Sequence, residues 1–119
     1  MPTATKFAAR TLLRDHFVKH GSEIGATDRD DYETKAVAFL NKSIEPNGSI
    51  EQQTRISGEV VRYDKTTNEF AIMAPDGIIV TYYLPMMRRR RPAGYPINKT
   101  HTEPSNYDYF LRECRKISS

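Results

Sequence analysis

The 119-residue sequence holds one cysteine, Cys114, which rules out an internal disulfide. It has no apolar run near the roughly 20 residues that a membrane-spanning helix needs, so no membrane partner is expected. The opening stretch MPTATKFAAR lacks the apolar segment of a secretory signal, and residues 1–6 read as a lead-in left over from a linker. Neither an internal repeat nor a second domain is visible, and the length suits one modest core spanning residues 1–119.

What is present is unevenly charged. Residues 1–50 carry seven basic and seven acidic side chains, residues 51–84 three and five, and residues 85–119 eight and three. The positive charge gathers at the C-terminal end, a distribution that suits a polyanion, although a solvated face or a surface for an acidic protein would look the same.

Leu12, Leu13 and Phe17 recur at helical spacing from Phe7 to about His20, with Gly21 as the stop. Thr27 reads as the N-cap of a second helix with acidic residues in its first turn and Tyr32, Ala36, Phe39 and Leu40 on its buried face. A loop follows, and from about Arg55 three strand-like segments, ISGEVVRYD, EFAIMA and GIIVTYYLP, are separated by tight turns, which implies an antiparallel meander. In the third strand, Ile78, Val80, Tyr82 and Leu84 are expected to face the helices, leaving Ile79, Thr81 and Tyr83 on an open face. Residues 85–104 read as a long basic loop, and SNYDYFLRECRK as a short closing helix capped near Ser105, with Tyr109, Phe110 and Cys114 inward. The expected fold is α+β, with N-terminal helices packed on a small antiparallel sheet and a short C-terminal helix.

Within RDHFVKHG, His16 and His20 are four residues apart and share a helical stripe. Two neighbouring imidazoles can give and take protons near neutral pH; packing or solvation is the alternative for any such pair. A zinc reading fails on Phe17, which stands where a metalloprotease helix needs its glutamate, so neither metal nor other cofactor is expected. Thr81 offers a hydroxyl on a strand, and Arg62 a guanidinium on another. Arg88, Arg89, Arg90 and Arg91, near Tyr82, Tyr83 and Tyr95, combine charge for phosphates with rings for bases.

The succession HFVKHG, DYETKAVAFL, GEVVRYDKTTNEFAIMAPDGIIVTYYLP and NYDYFLREC resembles the C-terminal toxin domains of contact-dependent growth inhibition and related polymorphic toxins. It is similar in particular to the RNases that share a fold with barnase, EndoU, colicin D and RelE. The resemblance implies a metal-independent endoribonuclease, acting on RNA and in particular on tRNA, with 2′-OH attack and histidine acid–base catalysis. It implies catalytic roles for His20, His16, Thr81, Arg62, Lys19 and Tyr109. Lys19 stands about 100° around the helix from His20, so sharing its stripe requires the helix to end early. The Arg88–Arg91 run and Tyr83 are expected RNA contacts. A cognate acidic immunity protein and a host activating factor are the implied partners. The implied setting is the C-terminal part of a larger exported protein, acting in the cytoplasm of a target bacterium. Without catalysis, the same residues describe an RNA-binding or protein-interaction module.

Overall fold

The structure is a computed structural model that describes residues 3–85 and 105–117. Among them the chain forms, in order, β1 (Lys6–Phe7), α1 (Arg10–Ile24), α2 (Arg29–Asn41), β2 (Ile50–Thr54), β3 (Val60–Asp64), β4 (Phe70–Met73), β5 (Ile78–Tyr83) and α3 (Asn106–Cys114). The fold is α+β, as the sequence indicated. The sheet is larger than the expected meander: five strands in the order β1-β5-β4-β3-β2, with β1 parallel to β5 and the other neighbours antiparallel. Of the expected loop 85–104, residues 86–104, Arg88–Arg91 among them, lie outside the described residues.

Two apolar clusters hold the sheet between helical layers. On one face Leu13 of α1 and Tyr32, Ala36, Phe39 and Leu40 of α2 pack on Val60, Ala71, Met73, Ile79 and Tyr82. On the other, Tyr109, Phe110 and Cys114 of α3 pack on Val61, Tyr63, Phe70 and Ile72. The face expected to be open is therefore roofed by α3. An irregularity between Ile72 and Met73 pairs Ile72 with Thr81 but Met73 with Ile79, so one extra residue sits in β5. That residue breaks strict alternation: Tyr82 faces α1 and α2 as expected, Ile79 joins it there, and Val80 packs with Tyr83 on the α3 side. Thr81, adjacent to Tyr82 in a regular stretch, stays on the α3 side.

Helix boundaries differ from expectation at α1. Gly21 is not its stop; the helix runs on to Ile24 and ends at Gly25, whose left-handed φ of 77° and N–H bonds to the Gly21 and Ser22 carbonyls close it. Gly21 is needed for packing instead, because a Cβ there would lie 2.6 Å from the Phe17 ring. At α2 the cap is one residue later than expected: the Asp28 carboxylate accepts the Asp31 N–H at 2.7 Å, and Asp31 in turn accepts the Thr27 N–H at 3.0 Å.

The residues read as lead-in are docked from Thr3 onward. Asn41, the last residue of α2, accepts the Ala4 N–H at 2.8 Å and donates to the Ala4 carbonyl at 3.0 Å. Glu33 accepts the Phe7 N–H at 3.0 Å, and Thr5 donates its N–H to the Gly77 carbonyl at 3.0 Å. Gly77 has φ of 90°, and a Cβ on it would meet the Thr3 carbonyl oxygen at 2.1 Å. Gly77→Ala is expected to cost about 1–3 kcal/mol through backbone strain and this displacement. A urea midpoint below that of the parent, with unchanged slope, is the expected result.

Candidate active site

Because β1 reaches only to Phe7, opposite Ile79, no described strand borders β5 beyond that point. α1 passes this uncovered edge and delivers its histidine stripe there. The His20 ring stacks on Tyr83 at 5.0 Å between centroids, His16 lies 6.3 Å from His20, and Phe7 covers His16 at 5.2 Å. On the far side the Tyr83 hydroxyl is hydrogen-bonded to that of Tyr109, and the Arg112 guanidinium lies over the Tyr109 ring at 4.8 Å. A continuous line thus runs from α1 across the end of β5 to α3: His16, His20, Tyr83, Tyr109, Arg112.

Each group is fixed by its surroundings. His20 is 9% exposed, and its Nδ1 lies 2.9 Å from Oε1 of Glu23, one helical turn on. The other oxygen of Glu23 accepts the Leu84 backbone N–H at 2.7 Å, tying the end of α1 to the end of β5. Glu23 also borders a cleft of 690 Å³ whose rim includes Lys35, Lys42, Glu69 and Tyr82. Burial pushes the Tyr83 hydroxyl well above its ordinary pKa, with Tyr109 and Glu113 adding to the effect and Arg112 opposing it, so this hydroxyl stays protonated.

Burial is also the main cause that lowers the pKa of His16; positive charge on His20 and Lys19 adds to it and Asp15 opposes. Unfolded, His16 takes up its proton near pH 6.5; folded, it does so at lower pH, so between those values the unfolded chain binds more protons. His16 therefore makes stability fall as pH drops below 6.5. Denaturant midpoints of the parent and His16→Gln, compared at pH 5 and pH 7.5, are expected to differ less with pH in the variant.

The residues proposed from sequence separate into groups. His16, His20, Tyr83 and Tyr109 are brought together, and Thr81 shares the sheet face of Tyr83. Tyr83 is not a free platform for a base, since His20 covers its ring and Phe70 lies 5.2 Å away. Lys19 is exposed, and with α1 continuing to Ile24 the early end that would let it share the His20 stripe does not occur. Arg62 stands apart. It is 3% exposed on the α2 side of the sheet, where it donates to the Phe39 carbonyl at 2.8 Å, the Lys42 carbonyl at 2.7 Å and the Gln52 side chain at 2.8 Å. Its position closes the C-terminal end of α2.

Glu23 and Arg112 are absent from the sequence-derived set. Glu23 is three residues from His20 and on its stripe, but a helix ended at Gly21 leaves it in a loop. Among the described residues no group of three or more histidine, cysteine, aspartate or glutamate side chains is arranged to hold a metal ion. No family model matches the chain, and no curated protein matches it.

Proposed function

We propose that the chain is an endoribonuclease toxin domain that cleaves RNA, with tRNA the expected target, by attack of the ribose 2′-OH on the adjacent phosphorus without a metal. The observation that carries this reading is the pair of imidazoles 6.3 Å apart at the edge of β5 that no described strand borders. RNA brings its own nucleophile, so the protein has to remove one proton, supply another to the leaving 5′-oxygen and stabilise charge on the phosphorus oxygens. His16 and His20 are the proton-transfer pair. The Thr81 hydroxyl, on the sheet face of Tyr83, and Arg112, over the Tyr109 ring, are the donors for the developing charge in this reading, with Tyr83 and Tyr109 holding the two sides together. Arg88–Arg91 would add electrostatic attraction for the RNA backbone. The larger exported protein, the acidic immunity partner and the host activating factor belong to this reading through the resemblance alone.

One observation favours a second reading. His20 is buried, stacked and hydrogen-bonded, which also describes a histidine that serves packing in a non-catalytic RNA-binding module. Incubation of the purified domain with total bacterial RNA in excess EDTA separates the two. Discrete new ends carrying 2′,3′-cyclic phosphate support the ribonuclease, whereas intact RNA with salt-dependent binding supports the module.

A further inference from the structure

We infer that Glu23 is the positioning residue that makes His20 the proton donor and His16 the proton acceptor of the cleavage, an assignment that rests on the ribonuclease reading. The Glu23 side chain is 4% exposed. One oxygen takes the Leu84 N–H and the other faces His20 Nδ1, so the carboxylate cannot turn away from the ring without giving up a buried backbone bond. With Nδ1 engaged, Nε2 is the nitrogen of His20 left to exchange a proton with substrate.

The same arrangement divides the work between the rings. Two imidazoles this close do not readily both carry charge, so the pair holds one proton more often than two. The cation belongs where its counter-ion is. Among the described residues the Glu23 carboxylate lies 2.9 Å from His20 Nδ1, whereas no carboxylate lies within ion-pair distance of His16. Burial and the positive charges of His20 and Lys19 disfavour a cation on His16, with Asp15 opposing. Among the described residues, the ionisable groups facing His20 include Tyr83 of β5 and, beyond it, Tyr109, Arg112 and Glu113 of α3; near Glu23 there is also Tyr32 of α2. None of these is a competing carboxylate in contact with either ring.

The reaction then runs in one direction through named atoms. A ring nitrogen of His16 takes the 2′-OH proton as the 2′-oxygen bonds to phosphorus. The bond from phosphorus to the 5′-oxygen breaks, and that oxygen receives the proton from His20 Nε2. The products are a 2′,3′-cyclic phosphate and a 5′-hydroxyl, with His16 protonated and His20 neutral.

Two substrates test this: a uridine-containing RNA dinucleotide, and the 4-nitrophenyl ester of uridine 3′-phosphate, whose leaving group departs without a proton. Glu23→Gln and His20→Ala are expected to lose at least about 10–100-fold on the dinucleotide. On the ester their losses stay below about 10-fold, because the proton they deliver is not needed. His16→Ala is expected to lose equally on both. Glutamine keeps an oxygen for the Leu84 N–H, and thermal melts of every variant show whether folding is retained. As a readout independent of turnover, imidazole nitrogen NMR of the parent should show His20 Nδ1 protonated across the titration, with this preference lost in Glu23→Gln.

A Glu23→Gln variant that falls alike on both substrates, or a His16→Ala variant that spares the ester, overturns the assignment while leaving the ribonuclease in place. A parent that cuts neither of these substrates, and leaves total bacterial RNA intact with cell extract added, removes the ribonuclease reading and the acid–base roles with it. In that case the NMR result still decides whether Glu23 sets the His20 tautomer.

Discussion

His20→Ala is expected to lower RNA cleavage by about 10²–10⁴-fold, the usual worth of one well-placed acid or base. The magnitude follows from the chemistry of the proposed reaction: without a proton donor the 5′-oxygen would have to leave as an alkoxide. The substitution also removes the partner of the buried Glu23 carboxylate and the ring stacked on Tyr83. Some loss of stability accompanies it, so the rate comparison belongs at a temperature where melts show both proteins folded. His20→Gln keeps a polar group beside Glu23 and separates the two effects: stability largely restored, cleavage still lost. Cleavage by either variant at the parental rate, with the same ends, would sink the catalytic role of this ring.

Arg62→Ala is expected to destabilise the fold by about 2–4 kcal/mol. For a domain of this size that corresponds to a melting temperature lower by about 8–20 °C. The guanidinium spans two carbonyls at the end of α2 and the Gln52 side chain of β2, and its removal withdraws donors from all three inside the core. It also lies 6.0 Å over the Phe39 ring, so packing is lost along with hydrogen bonds. Arg62→Lys keeps the charge but cannot span three acceptors, and an intermediate loss is expected. This distinguishes the architectural role from the catalytic one that the toxin resemblance implies. A group that stabilised charge on phosphorus would give a variant with parental melting and little cleavage; the contacts of Arg62 call for poor melting, with activity recovered in proportion as the protein is kept folded.

How much of this was legible beforehand depended on whether an element announced itself locally. α2 did, because Tyr32, Ala36, Phe39 and Leu40 repeat at helical spacing and all four are buried. α3 did through Ser105, whose hydroxyl accepts the Asp108 N–H at 3.0 Å, and through Tyr109, Phe110 and Cys114, all buried. β2 did not: IEQQT has no apolar alternation, since it is an outer strand of largely polar side chains, held to β3 by the backbone ladder and by the hydrogen bond from Arg62 to Gln52. β1, two residues long, is held from outside its own sequence, by Glu33 at Phe7 and by Asn41 and Gly77 at the two residues before it. At the site, the histidine spacing was readable, but its meaning turned on Gly21. Taken as a helix stop, Gly21 leaves Glu23 in a loop; in the fold it makes room for Phe17 and lets the helix carry Glu23 to His20. Arg62 shows the converse, a residue whose strand position was right and whose surroundings, set by the distant end of α2, no local pattern reveals.

The docking of the first described residues bears on when the site comes into being. Thr5 and Gly77 are 72 positions apart, and every strand but β1 can pair with a partner supplied by a nearby turn. Closing that long loop is entropically the costliest contact of the sheet and is favoured only after β3, β4 and β5 have formed a surface to receive it. Phe7, which covers His16, arrives with that contact. The environment that disfavours charge on His16 is therefore completed by the pairing that loop closure places last, so a partly assembled chain holds both histidines yet not the protonation pattern proposed for them.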